Sequence, residues 1–194
     1  MLKSFVLKLQ QIYKLLTNHY GGNIIITGSS AILMIILHHP LFRNNIEEYL
    51  NSLGYYKKGI PNDINFFCVK KEEIIEKSLG KYIADQEYIC KSKKFRYYEN
   101  DNISFDIKII PGCNYFVLDD MKIISPDYLR REYIEYYRDS DKPKLNFLQI
   151  YKEKLDTIFL QTIQVTNKRV TFLDEDELEL KEQFKNCCLK FDGE

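Results

Sequence analysis

Asp63 and Asn65 lie two residues apart in the apolar segment PNDINFFCV, and Asp106 stands in a second one, ISFDIKII. Successive side chains on a strand alternate between faces. Asp63, Asn65 and Phe67 therefore share one face, and Ile64, Phe66 and Cys68 the other. The same parity puts Asp106 with Lys108, and Phe105 with Ile107 and Ile109. Acidic residues converging from neighbouring strands are what a two-magnesium site requires, because magnesium takes oxygen ligands in tight octahedral geometry. Upstream, Gly28-Ser29-Ser30 follows a run of apolar residues and opens a helical pattern. A glycine-serine turn at a helix start is a natural phosphate cradle: its backbone N–H groups point outward, and a residue without a side chain permits close approach. The set describes a nucleotide site with one departure, the uncharged amide of Asn65 at the middle position.

Periodicity and breakers outline the elements that must position these residues. Leu2, Phe5, Val6, Leu9, Ile12, Tyr13 and Leu16 recur at helical spacing, which predicts a helix over 2–19 ended by Gly21-Gly22. A short buried strand over 23–28 leads into a helix capped by Ser29 or Ser30 and stopped by Pro40. Residues 41–53 read as helix, 55–62 as a loop, 63–70 as a strand and 71–79 as a short helix. Strands at 95–98 and 103–110 flank the turn 99–102 as a hairpin, and 115–118 reads as a further strand. Ser125-Pro126-Asp127 starts a helix reaching about residue 138, and the longest helical pattern covers 144–164. Residues 169–173 read as a strand. Asp174-x-x-Glu177 opens a last helix ending near residue 190. The expected fold class is α+β: a mixed sheet of about five strands flanked by helices over residues 1–120, with a helical C-terminal part, 121–194, packed on it.

Bulk properties narrow the function classes. The 28 basic and 28 acidic residues cancel, so net charge supplies no general affinity for nucleic acid or membrane. The longest apolar run, 31–37, is too short to span a bilayer, and the amphipathic N-terminus is unlike a signal peptide. Cys68, Cys90, Cys113, Cys187 and Cys188 are odd in number and lack a C-x-x-C pair. The expectation is a cytoplasmic, reducing compartment with neither a disulfide framework nor a zinc site. His38 and His39 close an apolar helix and read as helix-end or surface residues. The run Lys91-Ser92-Lys93-Lys94-Phe95-Arg96-Tyr97-Tyr98 mixes basic and aromatic residues, as a strip tracking a phosphate backbone does; a solvated hairpin edge has the same composition.

In order and local context, ITGSSAIL, NDINFFCV and FDIKIIPG resemble the DNA polymerase beta-like nucleotidyltransferase superfamily, closest in style to the nucleotidyltransferase-like proteins of large DNA viruses. The likeness covers roughly residues 20–115. It implies a nucleoside triphosphate held by Gly28, Ser29 and Ser30, with Lys108 near the phosphates. It also implies Mg2+ on Asp63, Asn65 and Asp106, with Asp63 and Asp106 as the catalytic carboxylates. The acceptor would be a nucleic acid or a protein, and the setting the host cytoplasm if the chain is viral. Two departures accompany it. The interval from Gly28 to Asp63 is long, so residues 40–61 read as an insertion at the cleft rim or on a partner, outside the main core. Asn65 contributes a carbonyl oxygen but no charge, which points to weak or absent transfer. A catalytically degenerate binding or scaffold subunit, and a nucleic-acid-binding accessory protein, stand as alternatives.

Overall fold

The computed structural model describes residues 2–55, 63–69, 78–88, 92–97, 104–167 and 190–192. It is an α+β fold. Its first helix, α1 (Leu2–Tyr20), buries Leu9, Ile12, Leu16 and Tyr20 along one stripe and ends at Gly21, whose φ of +69° closes the helix through a left-handed residue. Strand β1 (Ile24–Thr27) is buried throughout. The helix that follows, α2 (Gly28–His38), is buried from Ser30 to Ile36, consistent with a sequence that is apolar all round. A 3-10 turn (Pro40–Phe42) and α3 (Ile46–Ser52) follow.

The strands are β2 (Asp63–Val69), β3 (Ser78–Leu79), β4 (Tyr82–Tyr88), β5 (Ser92–Tyr97), β6 (Ser104–Ile110), β7 (Cys113–Leu118), β8 (Met121–Ile124) and β9 (Lys190–Asp192). With β1 they make one mixed sheet, ordered β3-β4-β5-β6-β2-β1-β8-β7-β9 among the described residues. Two pairings are parallel, β2 with β6 and β1 with β8. The others are antiparallel. The C-terminal helices are α4 (Pro126–Glu135) and α5 (Lys142–Asn167). No described helix is long and apolar enough to cross a membrane.

Several expectations need correction. The sheet has nine described strands rather than five. It runs past residue 120: β8 pairs Ile123 with Ile26 of β1, and β9 pairs with β7. Ser78–Leu79 is a strand where the end of a helix was expected, while 70–77 lie outside the described residues. So do the readings at 56–62, 98–103 and 168–189, along with Cys90, Cys187 and Cys188. Cys68 and Cys113 are buried and form no disulfide. The position before α2 is taken by Thr27, not Ser29 or Ser30, and its hydroxyl makes no capping bond.

The described part of the 40–61 segment also departs from expectation. Phe42 is fully buried and Leu50 nearly so, both within the main core. The Phe42 ring lies 5.0 Å from that of Phe147 and 5.7 Å from that of Tyr151, joining the segment to α5. Beside it His39 is 2% exposed rather than at the surface. Its Nδ1 accepts from the Leu41 N–H at 3.3 Å, so the proton sits on Nε2, which reaches the Tyr151 hydroxyl at 3.2 Å. Burial pushes the imidazole pKa down to about 4 from 6.5.

Two outcomes follow. Phe42→Ala is expected to cost about 3–5 kcal/mol of unfolding free energy, as loss of a core aromatic does, measured by urea denaturation. A surface insertion would lose almost nothing. His39 is neutral when folded and charges more readily when unfolded. The unfolded state therefore binds the extra proton, and stability falls as pH drops from about 6.5 towards 4. Between pH 7 and pH 5 the loss from this residue is about 2 kcal/mol, and His39→Gln should flatten that slope.

Candidate functional site

The parallel register of β2 and β6 assembles the polar residues. Asp63 pairs with Ser104, Asn65 with Asp106, and Phe67 with Lys108. Paired residues project to the same face, so Asp63, Asn65, Asp106 and Lys108 form one polar surface. Its reverse side is apolar, built from Phe66, Phe95 and Phe105, with the rings of Phe95 and Phe105 stacked at 5.2 Å. On the other side of β2, Thr27 pairs with Asn65 and delivers Gly28 to the same place. Gly28 has φ +64°, and a Cβ there would stand 3.0 Å from Asn65 Nδ2. Both the turn and the close approach demand glycine.

Thr27, Gly28, Asn65, Phe66, Phe67, Asp106, Lys108 and Glu132 line a depression of about 280 Å3. Asp63 lies along the same strand face but outside this lining. Ser29 and Ser30 are turned away. The Ser29 carbonyl accepts from the Tyr55 hydroxyl at 3.1 Å, and Ser29 also hydrogen-bonds the Tyr133 side chain. Burial drives both phenols well above the usual tyrosine range. Ser30 is fully buried and its hydroxyl has no hydrogen-bond partner among the described residues. A larger depression, about 480 Å3 and lined by Tyr49, Lys142, Phe147 and Ile150 among others, shares no residue with this one.

The electrostatics separate the two carboxylates. Asp63 Oδ1 accepts from the Ser104 hydroxyl at 2.7 Å and lies 3.6 Å from the Lys94 ammonium. Lys94 arrives from β5, directly opposite Asp106 in the antiparallel register. Burial raises the pKa of Asp106; Lys94 opposes that rise and Asp63 adds to it. Among the described residues Asp106 Oδ1 is buried without a hydrogen-bond partner, and so is the Thr27 hydroxyl, on a residue 4% exposed. Glu132 of α4 completes the lining. Its pKa is also raised by burial, with Lys108 opposing and Glu135 adding.

The donor set does not suit a pair of magnesium ions. Lys94 stands 3.6 Å from Asp63, which is 56% exposed, Asn65 carries no charge, and among the described residues no group of three or more His, Cys, Asp or Glu is placed to hold a metal. Asp106 Oδ1, for which the described residues supply no hydrogen-bond partner, is the anionic oxygen beside the Asn65 amide that any single ion would have to use. The basic-aromatic run is also placed differently from expectation. β5 lies between β4 and β6, and Lys93 is 4% exposed, so the strand is internal to the sheet and no solvated edge.

Sequence reasoning missed Lys94 as a partner of the carboxylates, together with Glu132, Tyr55 and the approach of Tyr133 to Ser29. The last three arrive through packing of distant segments and leave no local signal. Comparison with protein-family models, curated proteins and solved structures finds no match. Gly28→Ala is expected to cost about 1–2 kcal/mol from the left-handed backbone alone. Displacement of Asn65 should appear as a shift of its side-chain amide resonance in an NMR spectrum.

Proposed function

We propose that this chain is a nucleotidyltransferase-like protein whose cleft binds the phosphates of a nucleoside triphosphate together with one magnesium ion. In this reading nucleotidyl transfer to an acceptor is weak or absent. The observation that carries the proposal is the meeting, in one depression, of the N-terminus of α2 at Gly28, the side chain of Lys108, and the Asn65–Asp106 pair. The helix terminus and the lysine favour an anion. The Asp106 oxygen and Thr27 hydroxyl, which have no hydrogen-bond partner among the described residues, add an acceptor and a donor. At about 280 Å3 the depression is slightly below the ~300–1,000 Å3 of ordinary ligand pockets, which suits a triphosphate with the sugar and base at the mouth.

Bound magnesium would supply charge neutralisation to the phosphates. This chain's residues orient and hold: Gly28 lets the backbone approach, Lys108 supplies a fixed positive charge, and Asp106 with Asn65 supplies oxygen ligands. Reduced transfer follows from the missing charge at Asn65. A two-metal mechanism steadies both the attacking and the leaving oxygen, and a site short of one carboxylate holds the second ion poorly.

Calorimetric titration with each of the four ribonucleoside triphosphates, with and without magnesium, tests the proposal. At least one should bind, and Lys108→Ala should weaken it about tenfold, near 1.4 kcal/mol. Asp106→Asn should abolish the enhancement by magnesium, and Asn65→Asp should increase it. Heats no different from dilution for all four nucleotides would defeat the reading, and rapid magnesium-dependent transfer by the native chain would defeat its second half.

A further inference from the structure

We propose, resting on the phosphate-binding reading above, that Glu132 is the cleft's internal competitor for Lys108: its carboxylate faces that lysine within the depression as a tethered anion, so a phosphate must displace it, and the more highly charged phosphates are disfavoured most.

Placement comes first. Lys108 stands on β6 and Glu132 on α4, and both line the same depression of about 280 Å3 as Thr27 and Gly28 at the start of α2. Both side chains are half-buried, so their charges are only partly screened by solvent. Burial raises the Glu132 pKa and Lys108 opposes that rise through its charge, with no hydrogen bond between the two. The space between them is therefore open to a third group.

The other neighbours do not supply a rival cation. On α4 itself, Glu135 adds to the rise at Glu132, and the phenols of Tyr128 and Tyr133 are raised in turn by the Glu132 charge. β2 contributes Asn65, Phe66 and Phe67 to the lining, none of which titrates, and β6 contributes Asp106 beside Lys108. Lys144 of α5 lies 5.2 Å from the Tyr133 ring centre, where it faces the aromatic.

Charge counting gives the direction. With both acids ionised, Asp106, Glu132 and Lys108 sum to one negative charge, although the helix start, the Thr27 hydroxyl and Lys108 all favour an anion. Removing the Glu132 charge brings the sum to zero. Asp106 is fixed by the pairing of β2 with β6, whereas Glu132 comes from a separate element on a longer side chain. Glu132 is thus the acid able to withdraw. The repulsion it exerts on an incoming phosphate grows with the charge of that phosphate.

Calorimetric titration with orthophosphate and with tripolyphosphate, both free of divalent ions, tests the proposal. Glu132→Gln and Glu132→Ala should bind tripolyphosphate about tenfold more tightly than the native chain, with a smaller gain for orthophosphate. Glu132→Asp, which keeps the charge, should stay close to native. A merely structural role would not yield a gain graded by ligand charge. Unchanged or weaker tripolyphosphate binding in both charge-removing variants overturns the proposal, as does an equal gain for the two anions. A measurement without ligand covers variants at 132 that do not fold: carbon NMR titration of the Glu132 carboxyl should give a higher midpoint in Lys108→Met than in the native chain, and an unchanged midpoint overturns the proposal. A graded tripolyphosphate gain in a chain that binds none of the four nucleotides would defeat the function proposed above and leave the role of Glu132 standing. Nucleotide binding that is indifferent to the charge at Glu132 would do the reverse.

Discussion

The parallel pairing of β2 with β6 is the constraint on which the rest of the site depends. A parallel pair cannot be closed by a tight turn, so the chain must leave β2 and return by a crossover. Here the described part of that crossover is itself sheet. β3, β4 and β5 form antiparallel neighbours that extend the sheet outward, and β5 then pairs back onto β6. The path has a chemical consequence. The strand that leads into β6 carries Lys94, and its register sets that lysine against Asp106. A slip of one residue between β2 and β6 would send Asp106 into the Phe66–Phe95–Phe105 side and bring Phe105 or Ile107 to the polar face. Apolar packing on one face thereby fixes the polar geometry on the other.

The two ends of the cleft have opposite electrical character, and different elements impose it. At one end, β1 turns into α2 at Gly28, where the start of a helix presents unsatisfied N–H groups and partial positive charge. At the other, strand pairing holds Asp106 in the lining and Asp63 beyond it on the same face. Lys108 and Glu132 lie between β6 and α4, close enough that Lys108 counters the rise that burial imposes on the Glu132 pKa. α4 is fixed over this face by Tyr128, whose ring meets Phe67 at 6.0 Å, and by Tyr133 at Ser29. Tyr55 approaches the same serine from the segment after α3. The residues at 28–30 are therefore approached from two directions at Ser29, while Gly28 lines the cleft.

Much of this was legible in the sequence, for a physical reason. Alternation along 63–69 and 104–110 fixes which residues share a face, whatever the neighbours, and Pro126 after Ser125 marks a helix start through its locked φ. What was not legible depended on register and on distant packing. A four-residue turn at 99–102 would pair 98 with 103 and so set Lys94 opposite Ile107, on the apolar side. The observed pairing is shifted by one residue and puts Lys94 opposite Asp106. Strand β8 is four residues long and follows Asp119 and Asp120, both at positive φ, which turn the chain tightly from β7. Asp-Asp is a weaker hairpin signal than Asn-Gly or Asp-Gly, so the sequence does not announce this turn. The residues from 40 onward looked like an insertion because sequence distance was taken as structural distance. Phe42 shows otherwise by packing against α5, more than a hundred residues away.

The amide at 65 and the lysine at 94 make sense together as a solution to folding without metal. Asp63 and Asp106 already act on one another, since the charge of Asp63 adds to the rise in the Asp106 pKa. A third carboxylate at position 65, directly beside Asp106 in the register, would compound that repulsion in a place where burial already disfavours charge. A metal ion can offset such repulsion only while it is bound, so a three-carboxylate cleft ties stability to metal supply. With Asn65 the extra charge is never present, and with Lys94 the remaining pair is compensated by the chain itself. The same pairing fixes the side chains: Ser104 and Lys94 hold Asp63, while Gly28 leaves room for the Asn65 amide that a Cβ would crowd. The polar face is thus preorganised by groups of the chain itself: strand register, the Ser104 hydroxyl, the Lys94 ammonium and the space left by Gly28.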